Sequence, residues 1–596
     1  MKALNYPLDT ELIWKKRRSM KKELLKQENF LEKKIAILSG STIGDIKSIL
    51  ELFLLNQGIK PIFYEGLYGR FYEEAVYDYE RLIAFKPDII YIHTTNRNIE
   101  RFPSATDTTL EVDTLLINEI NKYKMVWDVL KEKCNCTIIQ NNFELLNYRI
   151  SGNGECYREN GSIHFINLLN EKLYEYAREN SGFLINDIHY LSSSFGLERW
   201  HDDSMWYMYK YALSLEAIPR LCSNLSNIIK ALYGKSKKSL ILDLDNTLWG
   251  GVIGDDGPCG IQIGNDNAIA ESYMMFQKYI KGLKDRGILL NVCSKNNESI
   301  AKQGFEHHSS VLKVEDFVGF KANWDDKATN VQEIITQMNI GVEHVVFLDD
   351  NPVERELVKN YVEGVEVPEL LKVEDYIQVI DKNGYFEMAH LEEADLKRNL
   401  YYQQDKMRQT QMREFKDYNI YLKSLDMKCF IENVNPTNLK RSVQLINKTN
   451  QFNLTTHRYN ESEIEAYIED ENILMLTGRL EDKFGDNGLV TVMIVKQNGE
   501  EAEIDLWVMS CRVFKRNLEY VMFKQMIKQC KSRGIKKLRG IYKLTNKNIM
   551  LKDFYLDLGF KEVFNNEVKY VYELDIDTYD DKYLKDDSIM EVIIND

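Results

Sequence analysis

Short apolar runs that end in polar residues recur along the first two thirds of the chain. Three lie near the start, KKIAILSGST (33–42), KPDIIYIHTT (86–95) and CTIIQNN (136–142), and three more follow from position 239, SLILDLDNT, GILLNVCSKN and HVVFLDDNP. Helical stretches separate the runs within each series, which is the pattern of parallel strands joined by crossover helices. The sequence therefore predicts two α/β domains, each built on a parallel sheet.

The rest of the chain predicts a third domain of different composition. From about residue 386 the sequence becomes charged and helical, and a mixed α+β region follows, up to an acidic end that we expect to be frayed or loosely docked. The predicted segments are a helical extension (1–32), an α/β domain (33–230), a second α/β domain (235–385), a helical connector (386–428), an α+β domain (429–575) and an acidic tail (576–596).

Composition excludes some classes of partner. The 77 Lys and Arg residues against 92 Asp and Glu residues give a net charge of −15, which argues against a nucleic-acid or anionic-membrane binder. No apolar run has the length of a signal-peptide core or a membrane span. The nine cysteines fit neither a disulfide framework nor a paired-CxxC zinc site. We expect a cytoplasmic protein with reduced thiols.

Reactive side chains follow the three apolar runs of the second domain. The carboxyl ends of parallel strands share one edge of a sheet, where ligands of α/β folds bind. The sequence therefore predicts that four carboxylates, one hydroxyl and one ammonium group converge there. In chain order they are Asp243, Asp245, Ser294, Lys327, Asp349 and Asp350.

This set of side chains predicts metal-dependent phosphoryl transfer. Clustered acidic oxygens indicate a hard-cation site, and Mg²⁺ is the usual ion when a phosphate completes its coordination. We predict that the four carboxylates are metal ligands and that Asp243 attacks phosphorus to form an aspartyl phosphate. Asp245 would protonate the leaving oxygen and then activate water, while Ser294 and Lys327 hold the phosphoryl oxygens.

These motifs resemble those of the haloacid dehalogenase-like (HAD) phosphohydrolases. DLDNT matches their first motif (DxDxT), Ser294 the second, Lys327 the third and LDDNP the acidic fourth. The segments between the first three motifs are too short for a separate cap domain. The resemblance implies a capless Rossmannoid sheet, which takes a large or protein-bound substrate or a lid from a neighbouring domain.

Longer stretches resemble the FkbH-like branch. DLDNTLWGGVIGDDG, VCSKNN, DDKATNVQEI and FLDDNPVERELV match its phosphatase half, and INKTNQFNLTTHRY, DKFGDNGLV and WVMSCRVFKRNLE its acetyltransferase-like half. The resemblance implies that a glyceryl unit of 1,3-bisphosphoglycerate, an acyl phosphate, is loaded onto the phosphopantetheine thiol of an acyl carrier protein for polyketide biosynthesis. The remaining phosphate would be removed at the Mg²⁺ site.

The C-terminal domain is expected to have a GNAT-like α+β fold. Such folds bind the CoA pyrophosphate through an [RQ]xxGx[GA] loop at a helix N-terminus, but residues 512–517 here read RVFKRN, with both glycines replaced. Arg512, Lys515 and Arg516 remain candidate contacts for the phosphate of a phosphopantetheine arm. Cys511, at the preceding strand-to-helix turn, is a candidate nucleophile that is partly thiolate, with a packing role as the alternative.

Two further features of this domain have a functional and a structural interpretation. His457 is a candidate base, and a structural histidine is the alternative. The stretch Val521 to Lys552 carries eight Lys and two Arg residues and no acidic residue. It predicts a docking face for an acidic carrier protein, with a solvated helix face as the alternative.

The first domain resembles the SGNH hydrolases in a degenerate form. Gly40-Ser41-Thr42 stands where such enzymes carry Gly-Asp-Ser, and no Asp-x-x-His pair lies near His189. We predict a lid or docking module, with Ser41 or His189 as alternative catalytic residues.

Three functions therefore stay open for an α/β chain of three domains, SGNH-like, HAD-like and GNAT-like. The first is a glyceryl transferase and phosphatase, the second a Mg²⁺-dependent phosphatase of a small metabolite, and the third a non-enzymatic carrier-docking scaffold. The intact Asp243 and Lys327 argue against the scaffold, and Cys511 argues against the plain phosphatase.

Overall fold

The chain forms two compact units in a computed structural model that describes residues 1–391, 393–566, 568–579 and 589–595; of residues 393, 394 and 511 it describes the backbone only. The first unit comprises 1–235 and 381–389, and the second 236–380 and 390–596. None of the helices in the described ranges is long and apolar enough to cross a membrane.

The first unit is a parallel sheet with helices on both faces. Its strands are ordered β2-β1-β3-β4-β5. They are β1 Leu31–Ser39, β2 Ile59–Glu65, β3 Ile89–His93, β4 Thr137–Asn141 and β5 Phe183–Asn186. The helices are α1 Thr10–Leu24, α2 Gly44–Asn56, α3 Phe71–Val76, α4 Glu80–Phe85, α5 Thr109–Cys134, α6 Ser162–Glu179, α7 Ile188–Phe195, α8 Leu197–Trp200, α9 Asp203–Tyr209 and α10 Ile218–Leu232.

The second unit begins with another parallel sheet, ordered β8-β7-β6-β9. Its strands are β6 Ser239–Leu242, β7 Leu289–Ser294, β8 Phe317–Ala322 and β9 Val345–Leu348. The helices are α11 Ile253–Asp256, α12 Ala268–Asp285, α13 Glu298–Gln303, α14 Lys327–Met338, α15 Pro352–Tyr361 and α16 Tyr376–Lys382. Residues 243–326, all of which are described, contain no inserted sheet, as expected of a capless domain.

A largely antiparallel sheet forms the rest of the second unit, in the order β16-β17-β15-β14-β13-β12-β10-β18, and β11 pairs with β14. Its strands are β10 Met427–Asn433, β11 Phe452–Asn453, β12 Ile473–Asp482, β13 Gly485–Asn498, β14 Glu501–Met509, β15 Lys537–Lys543, β16 Lys561–Asn565, β17 Lys569–Asp575 and β18 Met590–Ile594. The helices are α17 Glu393–Leu396, α18 Arg398–Met412, α19 Tyr418–Lys423, α20 Leu439–Lys448, α21 Glu461–Ile468, α22 Leu518–Ser532 and α23 Phe554–Asp557. The parallel pair β14–β15 within this order gives the predicted GNAT-like fold.

The apolar runs predicted as strands are confirmed as β1, β3, β4, β6, β7 and β9. Strands β2, β5 and β8 were not predicted, and all three lie at edges of their sheets. An edge strand is covered on fewer sides than a central one, so its sequence need not be a continuous apolar run. Ile59–Glu65 and Phe317–Ala322 both mix polar with apolar residues for this reason.

Two segments of the chain differ from expectation. Residues 590–594, predicted as part of a frayed tail, form β18 and pair in parallel with β10, while residues 580–588 and 596 of that tail lie outside the described ranges. Residues 381–389 belong to the first unit, where the Tyr6 amide donates to Oδ1 of Asn383 at 2.7 Å. Both contacts join residues far apart in the chain, so local composition does not predict them.

Candidate active site

Asp243 and Asp349 follow neighbouring parallel strands. Leu242 of β6 lies beside Leu348 of β9, and the Asp243 amide donates to the carbonyl of Leu348 at 2.9 Å. The next residue of each strand therefore lies at the same sheet edge. Both carboxylates are buried, with exposed fractions of 6% for Asp243 and 0% for Asp349.

Lys327 joins the two carboxylates. Asp326 caps α14 by accepting a hydrogen bond from the Thr329 amide at 2.8 Å, which makes Lys327 the first residue of the helix. Its Nζ lies 2.9 Å from Oδ2 of Asp243 and 2.6 Å from Oδ2 of Asp349. Burial lowers the pKa of Lys327, but the two carboxylates outweigh burial and raise it above its ordinary value. The lysine therefore balances one of two buried negative charges.

The carboxylates of Asp243, Asp349 and Asp350 each offer an oxygen within 4.8 Å of the others. Oδ1 of Asp243 is buried and has no hydrogen-bond partner among the described residues, although buried oxygens are normally paired. Burial, together with the charge of Asp243, raises the pKa of Asp349 despite Lys327. An all-oxygen set with excess negative charge is what Mg²⁺ prefers, so these residues fit a Mg²⁺ ion.

Backbone contacts hold the loop that carries Asp349 and Asp350. Nη1 of Arg355 donates to the carbonyl of Asp349 at 2.8 Å and to that of Asp350 at 2.6 Å. The Asp350 amide donates to Oγ1 of Thr247 at 3.2 Å. Arg355 was not predicted as a site residue, because a charged residue in the first turn of a helix is usually solvent-exposed.

Asp245 is not brought into the metal cluster, which corrects its prediction as a ligand. Its carboxylate accepts hydrogen bonds from Nε1 of Trp249 at 2.9 Å, the Ile253 amide at 3.1 Å and Nδ2 of Asn296 at 2.8 Å. Burial raises the pKa of Asp245, and these hydrogen bonds only partly oppose it. A raised pKa favours the protonated form that a general acid needs.

Ser294 reaches the same edge from the other side of β6. It is the last residue of β7, which pairs with β6 so that Leu242 lies beside Val292. Ser294 is buried, as is Thr247 just beyond the first aspartates. The structure therefore brings Asp243, Ser294, Lys327, Asp349 and Asp350 to one edge, as the sequence predicts.

The predicted phosphate loop of the C-terminal domain is arranged differently from expectation. Nη1 of Arg516 lies 3.1 Å from Oδ2 of Asp482, and its Nη2 lies 3.3 Å from Oδ1 of Asp405. Arg516 is thus buried and already neutralised, which corrects its prediction as a phosphate ligand. The guanidinium of Arg512 lies over the ring of Tyr401 at 4.3 Å, whereas Lys515 is exposed.

The backbone of Cys511 begins a 3-10 turn directly after β14, and α22 starts only at Leu518. Cys511 is therefore not in the first turn of that helix. Its side chain lies outside the described part of the structure, so its role as nucleophile stays a prediction. His457 lies between Asp505 and Lys543 in the same domain.

The candidate residues of the first unit are not neighbours. Ser41 follows β1 and His189 follows β5, and two strands, β3 and β4, separate those ends. Ser41 is buried, whereas the amide of His189 donates to Oδ1 of Asn142 at 3.0 Å. His201 was not predicted as a site residue. Its Nε2 lies 3.1 Å from the carbonyl oxygen of Leu145. A Ser41–His189 pair is not formed.

The chain is similar to a described protein family and to solved structures. The family model described as "FkbH, N-terminal domain" matches residues 54–230. The crystal structure of the N-terminal part of BF1531 from Bacteroides fragilis, which contains a phosphatase domain complexed with Mg, is 31% identical with a TM-score of 0.58, and the match covers 63% of this chain and 99% of that chain. No curated protein matches the chain.

A second solved structure is similar to part of the chain. It is the ribosomal-protein-S18-alanine N-acetyltransferase from Escherichia coli, at 14% identity and a TM-score of 0.21, with 26% of this chain and 97% of that chain covered.

The family match, the similarity to the BF1531 fragment and the site around Asp243 together show that the chain belongs to the FkbH-like proteins, enzymes with a HAD-type phosphatase domain.

Proposed function

We propose that the chain loads an acyl group, glyceryl in the form that the family resemblance implies, from an acyl phosphate onto the phosphopantetheine thiol of an acyl carrier protein. Phosphate is removed at Asp243. The observation that supports the phosphatase half most directly is the ammonium of Lys327 lying within hydrogen-bond distance of both Asp243 and Asp349. The Mg named with the BF1531 fragment supports Mg²⁺ as the metal.

Phosphoryl transfer begins at Asp243. Its Oδ1, which lacks a hydrogen-bond partner in the described part of the chain, attacks phosphorus, and the bond from phosphorus to the leaving oxygen breaks. Asp245 gives its proton to that oxygen. Lys327 and Ser294 hold the phosphoryl oxygens as negative charge redistributes. Mg²⁺, bound by Asp243, Asp349 and Asp350, would neutralise charge on the phosphoryl group.

Hydrolysis of the aspartyl phosphate reverses the proton flow. Asp245, now ionised, takes a proton from water, and the water oxygen attacks phosphorus. The bond between phosphorus and Asp243 breaks and restores the carboxylate. The hydrogen bonds from Trp249 and Asn296 keep the Asp245 carboxyl in one orientation for both steps.

The acyl-transfer half is supported by features of the GNAT-like domain. Lys515 is exposed next to the turn that starts at Cys511, and the exposed face of α22 carries lysines toward which an acidic carrier would be steered. The alternative of a plain Mg²⁺-dependent phosphatase is favoured by one observation, the burial of Arg516, which removes one predicted phosphate contact.

Intact-mass measurement on a carrier protein tests this proposal. The full chain is incubated with Mg²⁺, phosphopantetheinylated carrier and 3-phosphoglyceroyl phosphate. The carrier should gain the acyl mass while phosphate release at Asp243 continues. Loss of loading by Cys511→Ala would assign Cys511 as a covalent nucleophile. Loading by Cys511→Ala at the wild-type rate would mean direct transfer to the pantetheine thiol. A carrier that gains no mass with wild type leaves the plain phosphatase as the function.

A further inference from the structure

The paired strands β14 and β15 separate at Asp505. Their parallel pairing ends at Ile504 and Gly540. On the opposite side of β14, Ile504 pairs with Val495 and the pairing then continues from residue 506, so Asp505 is the extra residue of a β-bulge. Bulges redirect a side chain and are common beside active sites. At this bulge the Asp505 carboxylate contacts His457 and Tyr459, which follow β11 in the chain.

A segment of the chain itself lies between the separating strands. Beyond the two residues of β11, the Leu454 amide donates to the carbonyl of Trp507 at 3.4 Å, and the Leu454 carbonyl accepts from the Lys543 amide at 2.8 Å. Leu454 therefore bridges β14 and β15 where they no longer pair. The inner edge of β14 is thus occupied and cannot pair with an extended ligand.

The bridging segment ends in a turn that fixes His457. Oγ1 of Thr455 donates to the carbonyl of Asp505 at 2.7 Å. Thr456 has a φ of +63°, a left-handed conformation that is uncommon for a β-branched residue, and its amide donates to Oδ1 of Asn453 at 2.8 Å. Strained backbone of this kind is often found at functional sites. His457 is the residue that directly follows Thr456 in this turn.

His457 is held between a carboxylate and an ammonium group. Its Nδ1 lies 3.5 Å from Oδ1 of Asp505, and its Nε2 lies 3.0 Å from Nζ of Lys543. Because an ammonium group only donates, Nε2 is the acceptor and Nδ1 carries the proton. A carboxylate at Nδ1 and a lone pair at Nε2 is the arrangement of a catalytic base. The His457 side chain is 36% exposed, so a substrate can reach it.

Asp505 is ionised and firmly held. The Tyr459 hydroxyl donates to its Oδ2, and Nζ of Lys496 lies 3.1 Å from its Oδ1. Burial alone would raise the pKa of Asp505, but hydrogen bonds from His457 and Tyr459 and the charge of Lys496 lower it to about 2. Asp505 therefore remains a carboxylate and can stabilise an imidazolium when His457 takes up a proton.

We propose that His457 is the general base of acyl transfer, that Asp505 is its positioning residue, and that Lys543 binds the phosphate of the acyl donor. This inference rests on the proposed transfer function and names the residues that carry out its acyl-transfer step. The phosphate of the donor attracts the Lys543 ammonium away from Nε2. The thiol then gives its proton to Nε2, and sulfur bonds to the carbonyl carbon. The bond from that carbon to the phosphate oxygen breaks, and phosphate leaves with the electron pair.

The test uses the full chain with acetyl phosphate and two small thiols, N-acetylcysteamine and the more acidic methyl thioglycolate. His457→Gln should lower transfer to N-acetylcysteamine by about 100-fold. The loss should be clearly smaller with methyl thioglycolate, because a thiol that is already ionised needs no base. Release of phosphate from p-nitrophenyl phosphate should stay within about twofold of wild type, which reports that the chain is folded. His308→Gln, at an exposed residue of the phosphatase domain, is the matched control.

Two further variants separate the roles. Asp505→Asn should reduce transfer with the same dependence on the thiol. Lys543→Met should raise the KM for acetyl phosphate by about tenfold, the loss of one charged hydrogen bond, without changing the thiol dependence. The inference would be overturned if His457→Gln lost activity equally with both thiols, or if it transferred acyl groups at the wild-type rate. Either result would leave the proposed function standing. No transfer by wild type to either thiol or to a carrier would reject the proposed function itself.

Discussion

Nζ of Lys327 lies 2.6 Å from Oδ2 of Asp349, and both side chains are buried. The same ammonium contacts Asp243 at 2.9 Å, so one cation holds two carboxylates that would otherwise repel each other. A bound Mg²⁺ would share this task. The positive charge of Lys327 therefore contributes both to catalysis and to the stability of the fold.

Lys327→Met should destabilise the chain in a way that depends on Mg²⁺. In EDTA the free energy of unfolding should fall by about 3–5 kcal/mol, because two buried carboxylates lose their cation. With Mg²⁺ the loss should be smaller, and urea unfolding under both conditions measures it. Lys321→Met, which removes a surface ion pair with Glu333, should cost about 1 kcal/mol or less. Equal losses with and without Mg²⁺ would contradict the metal site.

Asp243→Asn should abolish phosphate release from p-nitrophenyl phosphate, since the amide cannot form the phosphoenzyme. Asp245→Asn should slow release by about 10²–10⁴-fold, the usual contribution of a general acid, and EDTA should stop turnover by wild type. Asp266→Asn, an exposed residue of the same domain, serves as the control. Full activity of Asp243→Asn would rule out this residue as nucleophile.

His93 should make the first unit sensitive to acid. Burial lowers the pKa of His93 from 6.5 to about 4, so the unfolded chain binds a proton below pH ~6.5 that the folded chain does not. Stability is therefore fully present above that pH and is lost as pH falls, by about 3 kcal/mol near pH 4. Pulse proteolysis in urea, with fragments from residues 1–235 identified by mass spectrometry, measures this loss. His93→Asn, which retains a partner for Tyr91 and Asn141, should flatten the pH dependence.

Arg516→Met should destabilise the C-terminal domain by about 3 kcal/mol, because it leaves Asp482 and Asp405 with less positive charge in a buried cluster. Lys515→Met, at an exposed neighbouring position, should leave stability unchanged. Urea unfolding distinguishes the two variants. If Arg516 were a phosphate ligand on the surface, the two substitutions would have similarly small effects on stability.

Carrier loading should depend on the exposed face of α22. Lys528 and Lys531 lie on that face, and reversing both charges (Lys528→Glu with Lys531→Glu) should lower kcat/KM for an acidic carrier about tenfold at low salt. The difference should shrink as salt screens the charges. Lys359→Glu, at an exposed residue of the phosphatase domain, should change loading little. A loss that persists at high salt would indicate a structural effect instead of electrostatic steering.

The central strands of the two parallel sheets, and the side chains at their carboxyl ends, could be predicted from the sequence alone. Strands β6 and β7 lie inside their sheet and β9 lies at its edge, but all three are fully buried, so their sequences are mostly apolar. Parallel pairing brings their ends to one edge whatever the details of packing. Asp243, Ser294 and Asp349 were predictable for this reason, whereas Lys327, the first residue of α14, was predicted from the resemblance to the HAD motifs. The edge strands β2, β5 and β8 were not predicted, because each is partly exposed and its sequence need not be a long apolar run.

Tertiary structure decided which charged side chains are available to bind a metal ion or a phosphate group. Asp245 and Arg516 have the residue types expected of a metal ligand and a phosphate ligand, yet Trp249 and Asn296 hold the first and Asp482 neutralises the second. The pairing of β18 with β10 and the meeting of His457, Asp505 and Lys543 are likewise contacts between distant segments. The sequence lists the charged groups of this protein, but their partners depend on how the chain packs, because an ion pair or hydrogen bond needs contact within a few ångströms.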